Sequence, residues 1–341
     1  MLIIISGIAM IVAIIIALTI TIVISEKFLV KHGNVKLVIN DDKENALNVE
    51  TGGTLLSTLT ENEILIPSAC GGGGTCGYCT CQVTSGGGDL LPTEEGLINR
   101  KKAKDHWRLA CQVKVREDME IKVPDEVFST KKWECEVVSN DNVATFIKEF
   151  IVKLPDGEEL DFKPGGYIQI EIPKYHLNSG KDYDVEDIYR DDWDKIKAFD
   201  LITKNSEKVI RAYSMANYPA EGDIVMLNVR IATPPWDRKK DRFKKVPSGI
   251  SSSFIFSKKA GDKVTVSGPY GEFFINESES EMMYIGGGAG MAPMRSHIMH
   301  LFHTLKTKRK VTFWYGARSC REIFYEEDFR AIEKEFPNFT F

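Results

Sequence analysis

The sequence lacks a long run of charge of either sign. Its 44 lysine and arginine residues and 49 aspartate and glutamate residues leave a formal net charge of −5, with neither a basic stripe nor an acidic tail. A protein that binds nucleic acid is expected to cluster its basic residues, so nucleic acid is not an indicated partner. The 341 residues exceed one typical hydrophobic core and contain no internal repeat, which predicts two to four domains.

Charge is absent altogether from residues 2–25, which are mostly aliphatic. At about 1.5 Å per helical residue this stretch is roughly 35 Å long, enough to cross the apolar core of a bilayer. A cleaved signal peptide is the alternative, but its basic n-region and A-x-A-like exit are missing. We therefore predict a single-pass transmembrane anchor over residues 1–26. Lys27, Lys31 and Lys36 follow the anchor and no lysine or arginine precedes it, which predicts that the remaining domains are cytoplasmic.

Cysteine is scarce, with seven residues in the chain. Four of the seven are clustered in CGGGGTCGYCTC, residues 70–81. In a chain predicted to be cytoplasmic, an odd number of cysteines favours metal ligation over a disulfide framework. Cys70, Cys76 and Cys79 follow the pattern C-x5-C-x2-C, and 31 residues separate Cys79 from Cys111. Plant-type 2Fe-2S ferredoxins use C-x4-C-x2-C and a distant fourth cysteine. We therefore predict that these four thiolates bind a 2Fe-2S cluster.

The residues around these thiols suit that interpretation. Glycine lets backbone N–H groups approach the sulfurs and stabilise the negative charge of a cluster. A four-thiolate zinc site is the alternative, although structural zinc sites usually pair two short C-x(2–4)-C units. The remaining cysteines, Cys81, Cys135 and Cys320, are interpreted as buried packing residues.

The pattern of predicted strands and helices divides the rest of the chain into three regions. Residues 34–128 begin with the alternating segments KLVIN and ALNVE, which predict a hairpin, and continue through a short helix to further strand-like segments. Residues 129–275 contain six alternating strands and no long helix, as expected of a small antiparallel β-barrel. The acidic stretch 174–208 is interpreted as a surface insertion in that barrel.

The last region, residues 276–341, alternates strands with helices, which predicts a parallel α/β sheet. A doubly wound domain of about five strands needs roughly sixty more residues than remain. We therefore expect this region to be the N-terminal part of such a domain.

Three short motifs have the residue types that bind phosphates and sugars. RAYS places Arg211 and Tyr213 on one face of a strand, where they bind a phosphate and a hydroxyl or form an ordinary surface pair. In PSGISSSF, Gly249 opens a helix whose amides bind a pyrophosphate or are simply capped. GGGAGMAP, between a strand and a helix, suits a dinucleotide or forms a plain tight turn.

The order of the cysteine loop, RAYS, GPYGEF (residues 268–273) and GGGAGMAP resembles ferredoxin:NADP reductase-type flavoproteins fused to an N-terminal 2Fe-2S ferredoxin. With the anchor and the acidic insertion, the chain is similar to the F-subunit family of the sodium-translocating NADH:quinone oxidoreductases. The resemblance implies a multidomain α+β protein. Its parts would be a transmembrane helix, a β-grasp 2Fe-2S domain, an antiparallel FAD-binding barrel and an α/β nicotinamide-binding domain.

The resemblance also assigns roles to residues. Arg211, Tyr213 and Ser214 would hold FAD, with Ser214 as the catalytic residue beside the isoalloxazine ring. The FAD pyrophosphate would be bound by Gly249 and Ser252. NADH would be bound by Gly286, Gly287, Gly288, Gly290, Pro293, Tyr315 and Arg318. The choice of NADH over NADPH rests on the resemblance alone, because Arg318 and Arg321 near the adenosine could accept a 2′-phosphate.

The implied function is electron input to a respiratory complex of the bacterial cytoplasmic (inner) membrane. NADH would pass a hydride to FAD, and single electrons would then move through the 2Fe-2S cluster towards quinone. Partner membrane subunits would couple this transfer to Na+ export.

One departure from the family pattern leaves alternatives open. The family normally continues with a C-G-P-P stretch beside the nicotinamide and a segment that covers the flavin, and this sequence has neither. One alternative is the reductase component of a multicomponent oxygenase, although such components are generally soluble. Another is a membrane-tethered iron–sulfur carrier that does not oxidise NADH. Flavin reduction by NADH would separate the carrier from the enzyme.

Overall fold

The structure, a computed structural model, describes residues 2–29 and 33–341. The chain falls into two compact units. The first extends to Phe128 without Ser68–Gly71, and the second comprises Ser68–Gly71 together with Ser129–Phe341. The finer domain limits that we infer from the sequence stay predictions.

The N-terminal segment is helical, and α1 spans Leu2–Leu29. Over residues 2–29 and 33–341, however, no helix reaches the length and apolarity that crossing a membrane requires. The predicted transmembrane span is therefore not shown by the structure. Lys31, one of the three flanking lysines in the sequence argument, lies outside the described residues.

The first unit is built on a five-stranded sheet in the order β2-β1-β5-β3-β4. The elements after α1 are β1 (Asn34–Ile39), β2 (Asp42–Glu50), α2 (Leu55–Glu61), β3 (Thr80–Ser85), α3 (Arg100–Lys104), β4 (Trp107–Leu109) and β5 (Met119–Lys122). β1 and β2 form the expected antiparallel hairpin, and β1 pairs in parallel with β5. Helix α2 starts where the Thr54 side chain accepts a hydrogen bond from the Ser57 amide. Leu55 and Leu59 of α2 are fully buried in the core of this unit.

The segment that contains Cys111 forms only a short strand. The segment HWRLACQVKV contributes only the three residues of β4, because the chain turns at residues 110–112. Cys111 lies in that turn.

The second unit contains a barrel, an insertion and an α/β region. Its elements are β6 (Lys131–Ala144), β7 (Ile147–Lys153), β8 (Tyr167–Ile172), β9 (Tyr175–Asn178), α4 (Ser179–Asp182), α5 (Asp187–Lys195), β10 (Ile202–Asn205), β11 (Val209–Ser214), β12 (Ile224–Arg230), β13 (Trp236–Asp237), β14 (Arg242–Phe243), α6 (Ile250–Phe256), β15 (Lys263–Tyr270), β16 (Met282–Gly286), α7 (Met291–Met299), β17 (Val311–Tyr315), α8 (Glu326–Glu335) and β18 (Phe339–Thr340).

Six strands form the antiparallel barrel in the order β11-β8-β15-β6-β7-β12. An isolated antiparallel bridge between Met215 and Leu227 joins the two outer strands and closes the sheet. Closure removes the free strand edges that an open sheet would expose. Inward-facing aliphatic residues of these strands, such as Ile168, Ile170 and Val266, are fully buried.

The interpretation of residues 174–208 as a surface insertion needs correction. The segment is ordered into β9, α4, α5 and β10, and its Trp193 is fully buried in the barrel's own hydrophobic core. The indole Nε1 of Trp193 donates a hydrogen bond of 2.6 Å to the Thr145 carbonyl. The acidic residues that suggest a surface position alternate with aromatic residues that pack inwards, so one face of the segment belongs to the core and its charged face is exposed.

The α/β region has the expected parallel sheet, in the order β16-β17-β18. Two helices of this region end or begin at irregular backbone. α7 ends at Met299 and continues as a π-helical turn, His300–Thr304. α8 begins at Glu326, because Tyr325 has a left-handed backbone, φ 62°, and Cys320–Glu322 forms a separate 3-10 turn.

Trp193→Ala tests the role of the insertion in the core. Removing a fully buried indole leaves a cavity, so we expect the second unit to lose about 3–5 kcal/mol of unfolding free energy. Ile188→Ala on the same helix is the matched control, because Ile188 is 65% exposed, and it should change stability by less than about 0.5 kcal/mol. Chemical denaturation of the full chain measures both. Equal small losses would contradict the core assignment.

Candidate functional site

The thiols of Cys79 and Cys111 meet in the first unit, one at the start of β3 and the other in the turn after β4. Both residues are buried. A hydrogen bond from the Cys79 thiol lowers the pKa of Cys111, and the same bond with burial raises the pKa of Cys79. Cys76 is close enough to contribute to the electrostatics of Cys79. Metal binding requires deprotonated thiols, and the hydrogen bond between Cys79 and Cys111 brings the two sulfurs together for that purpose.

Backbone amides point at these sulfurs, as the glycine-rich sequence predicts. The amide of Gly74 donates a hydrogen bond to Cys111, whose own amide donates to Cys79. Gly74 has φ +69°, a left-handed backbone conformation that favours glycine over residues with a Cβ. The Gln112 Nε2 also donates to the Cys111 sulfur at 3.5 Å. These donors would stabilise thiolates and a negatively charged cluster.

A buried ion pair that the sequence analysis missed holds the turn of Cys111 in place. Arg108 on β4 donates to Glu94 through Nη2 at 2.7 Å, and the Leu109 amide donates to the same carboxylate at 2.8 Å. Burial alone would raise the pKa of Glu94, but the hydrogen bonds from Arg108 and from backbone amides lower it overall. Arg108 also donates to the carbonyls of Gly87 and Gly88. The glutamate and arginine are 14 residues apart, so no short motif signals their pairing.

The other cysteines differ in burial and in their place in the fold. Cys81 and Cys135 are fully buried, which agrees with a packing role, and burial raises the pKa of each thiol to about 12. Cys320 is exposed, so its interpretation as a buried packing residue is wrong. Cys70 lies in the segment Ser68–Gly71, which groups with the second unit.

Within the described part of the chain, no group of three or more histidine, cysteine, aspartate or glutamate side chains is gathered closely enough to hold a metal ion. The donors around Cys79 and Cys111 fit an iron–sulfur cluster chemically. The complete four-cysteine site stays a prediction.

The barrel brings together the two segments predicted to bind FAD. Tyr213 on β11 donates from its hydroxyl to Ser251 on α6 at 2.9 Å, and burial raises the pKa of Tyr213. Arg211 is half-buried, with Nη1 donating to the Ile210 carbonyl at 2.7 Å, and Ser214 is exposed at the end of the strand. The R-x-Y-S strand and the turn at Gly249 are therefore neighbours.

Ser252 has a different environment from the one expected of a pyrophosphate ligand. Its hydroxyl accepts from the Ala232 amide at 3.1 Å and donates to the Gly249 carbonyl at 3.2 Å. The side chain is buried. These bonds position the turn before α6, and direct contact with FAD by Ser252 stays a prediction.

The glycine turn predicted to bind a dinucleotide follows β16 and packs against the loop after β17. The Gly316 amide donates to the Gly286 carbonyl at 2.8 Å. A Cβ on Gly287 would lie 2.1 Å from the Gly316 carbonyl oxygen, so only glycine permits this backbone approach. Gly288 and Gly290 continue into a 3-10 turn that leads to α7, where Pro293 is half-buried.

The two segments predicted to bind NADH line one cleft of about 780 Å³. Its walls are residues 145–147, 285–288 and 314–319 with Asp192, Arg230, Arg321 and Glu322. Gly286, Gly287, Gly288, Tyr315 and Arg318 are among them, and the Tyr315 hydroxyl donates to the Glu322 carbonyl at 3.1 Å. Gly290 directly precedes α7 and Pro293 lies in its first turn, and neither is among the residues that line the cleft.

Sequence reasoning missed the contribution of the barrel and its insertion to this cleft. Thr145, between β6 and β7, donates through Oγ1 to Glu322 at 2.5 Å and through its amide at 3.2 Å. Asp192 comes from α5 of the insertion. These residues are about 130 to 180 positions away from the loop after β17, so no local pattern joins them.

Comparison with known proteins supports the domain types. Residues 38–116 match the 2Fe-2S iron–sulfur cluster binding domain, residues 197–275 the oxidoreductase FAD-binding domain, and residues 284–341 the oxidoreductase NAD-binding domain. Among solved structures, an Amycolatopsis cytochrome P450 reductase is similar, with TM-score 0.56 and 22% identity over 89% of this chain and 79% of that one. At that identity the likeness shows the fold alone. Fold and matched domains define an iron–sulfur flavoprotein with a nicotinamide-binding domain.

Relatives of higher identity give the family. The F subunit of the Na(+)-translocating NADH-quinone reductase of Neisseria gonorrhoeae is 54% identical over 98% of this chain and 80% of that protein. The F subunit of the same reductase in Serratia proteamaculans is 53% identical over 98% and 81%. The chain belongs to the F-subunit family of the Na(+)-translocating NADH-quinone reductases.

Cys79→Ser and Cys111→Ser test the thiol pair. Each change replaces a thiolate ligand by a hydroxyl, so we expect iron and acid-labile sulfide after anaerobic reconstitution to fall by about tenfold or more. Cys320→Ser is the control, because that thiol is exposed, and it should keep both elements. Normal iron content in the Cys79 and Cys111 variants would rule out their assignment as ligands.

Gly287→Ala tests the contact between the two cleft segments. The added methyl group has no room beside the Gly316 carbonyl, so we expect a lower midpoint of thermal unfolding and weaker NAD+ binding by about tenfold or more. Gly290→Ala adds the same methyl group where nothing lies within 4 Å, and its unfolding midpoint should not fall. If both variants unfold at the original temperature, the close approach does not exist in solution.

Proposed function

We propose that the chain is the electron-input subunit of a respiratory NADH:quinone oxidoreductase that exports Na+. The observation that carries this proposal is the cleft, since the glycine turn after β16 and the loop after β17 line it together. A strand, a glycine turn and a following helix are the elements that receive a dinucleotide's phosphates. The names of the F-subunit relatives give the substrate and the ion.

The residues of the second unit have distinct roles in this proposal. Arg211 and Tyr213 would bind FAD, because a guanidinium and a phenol on one strand offer charged and neutral donors to phosphate and sugar. Ser214 is exposed at the end of β11, where its hydroxyl would hydrogen-bond the isoalloxazine ring. Gly249 would let the flavin pyrophosphate approach the turn before α6. NADH would lie against Gly286–Gly288 with its adenosine towards Arg318.

Cys70, Cys76, Cys79 and Cys111 would hold the cluster in this proposal. Bound FAD supplies an acceptor for the hydride of NADH and passes electrons on singly, which a 2Fe-2S cluster can receive. The amides of Gly74 and Cys111 donate towards the sulfurs and would stabilise the negative charge of that cluster.

The same proposal includes a membrane and partner subunits. Residues 2–25 carry no charge, and the relatives bear the name of one component of a Na(+)-translocating complex. We propose that this segment attaches the chain to the bacterial inner membrane by a single pass, with its soluble domains in the cytoplasm, beside the subunits that reduce quinone and move Na+.

Anaerobic titration of the purified, FAD-loaded chain with NADH tests the enzymatic part. We expect the visible absorption of the flavin to bleach, because hydride transfer reduces the ring. A flavin that NADH leaves unchanged, with a cluster that dithionite reduces, would instead support an iron–sulfur carrier without NADH oxidation.

A chain without residues 1–29 extends this test to the membrane. It should still show NADH-dependent bleaching, while quinone reduction in membranes that contain the partner subunits should be lost. Undiminished quinone reduction by the shortened chain would contradict the role of the N-terminal segment.

A further inference from the structure

Helix α5 of the insertion is joined to the 3-10 turn that follows β17. The guanidinium of Arg321 donates through Nη1 to Asp191 at 3.1 Å and through Nη2 to Asp192 at 2.6 Å. Nη1 also donates to the Ile188 carbonyl at 3.0 Å. Three acceptors on one helix therefore engage a single arginine at the edge of the cleft.

Helix α5 is held against the barrel by the residue that follows the acidic pair, whereas the side chains of Asp191 and Asp192 are 67% and 41% exposed. The neighbouring Trp193 is fully buried and donates to the Thr145 carbonyl. Thr145 in turn donates to Glu322, the residue after Arg321. The helix that carries the carboxylates and the turn that carries the arginine are therefore both hydrogen-bonded to Thr145.

The charged side chains around the loop after β17 are of the kind that distinguish a ribose 2′-hydroxyl from a 2′-phosphate. In dinucleotide-binding α/β folds, an acidic side chain near the adenosine ribose hydrogen-bonds its 2′-hydroxyl, whereas an available arginine accommodates a 2′-phosphate. Arg318 and Arg321 both line the cleft, as does Asp192. Arg321 is bound to two carboxylates, and those carboxylates would repel a phosphate placed beside them.

We propose that Asp191 and Asp192 make the cleft select NADH against its 2′-phosphorylated analogue, by holding Arg321 and by adding negative charge where a 2′-phosphate would lie. The inference rests on the proposed function, since it assumes that the cleft receives the dinucleotide. It assigns substrate discrimination to an insertion in the flavin barrel, outside the nucleotide-binding sheet itself.

Calorimetric binding of NAD+ and NADP+ to the full chain tests this inference directly. In Asp191→Asn with Asp192→Asn, two charges are removed with almost no change in volume, and Arg321 becomes available for a phosphate. We expect the affinity for NADP+ relative to NAD+ to rise about tenfold. Adding Arg321→Ala to this variant should remove the part of the gain that the released guanidinium supplies.

Asp194→Asn is the matched control, because Asp194 is an exposed carboxylate on the same helix and does not contact Arg321. It should leave the affinity ratio unchanged. An equal gain in this control would assign the effect to net charge and overturn the inference. An unchanged ratio in the folded double variant would overturn it as well.

The single variant Asp192→Asn repeats the test should the double variant unfold, and it should give a gain of about threefold. No gain there would also overturn the inference. Failure of the proposed function has a different result. In that case the unaltered chain binds neither NAD+ nor NADP+, and NADH does not bleach its flavin.

Discussion

Thr145 is the residue at which the three parts of the second unit meet. It lies between two barrel strands, its carbonyl accepts from Trp193 of the insertion, and its amide and hydroxyl donate to Glu322 beside the nucleotide-binding sheet. Thr145 is buried, and buried polar groups without partners destabilise a fold. The requirement to satisfy all three groups therefore couples the barrel, the insertion and the loop after β17, and with them the walls of the cleft.

The first unit brings two thiols together in its interior and must compensate the free-energy cost of burying them. Cys79 and Cys111 are buried, and two isolated thiolates there would be costly. The structure provides amide donors from the glycine loop and a hydrogen bond between the two cysteines. The Glu94–Arg108 pair fixes the turn that presents Cys111. These features are those that a site for a negatively charged cluster needs before the cluster arrives.

Much of this architecture could be predicted from sequence because its signals are local. Alternation identified the hairpin of β1 and β2 and the barrel strands, and the glycine turn after β16 identified the α/β region. The interpretation of the acidic stretch 174–208 as a surface insertion also relied on a local signal, its charged residues. The burial of Trp193 could not be predicted in this way, because it depends on a core supplied by distant strands. The partners of Thr145, Glu94 and Arg321 could not be predicted, because each pairing joins residues that only the folded chain brings together.

The central claim is that the cleft formed by the glycine turn and the loop after β17 receives the nicotinamide dinucleotide. A crystal structure of the flavin-loaded chain soaked with NADH tests this most directly. We expect density for the dinucleotide along Gly286–Gly288, with its adenosine beside Arg318 and its ribose facing Asp192. Density for the dinucleotide on another surface, with this cleft filled only by water, would contradict the claim.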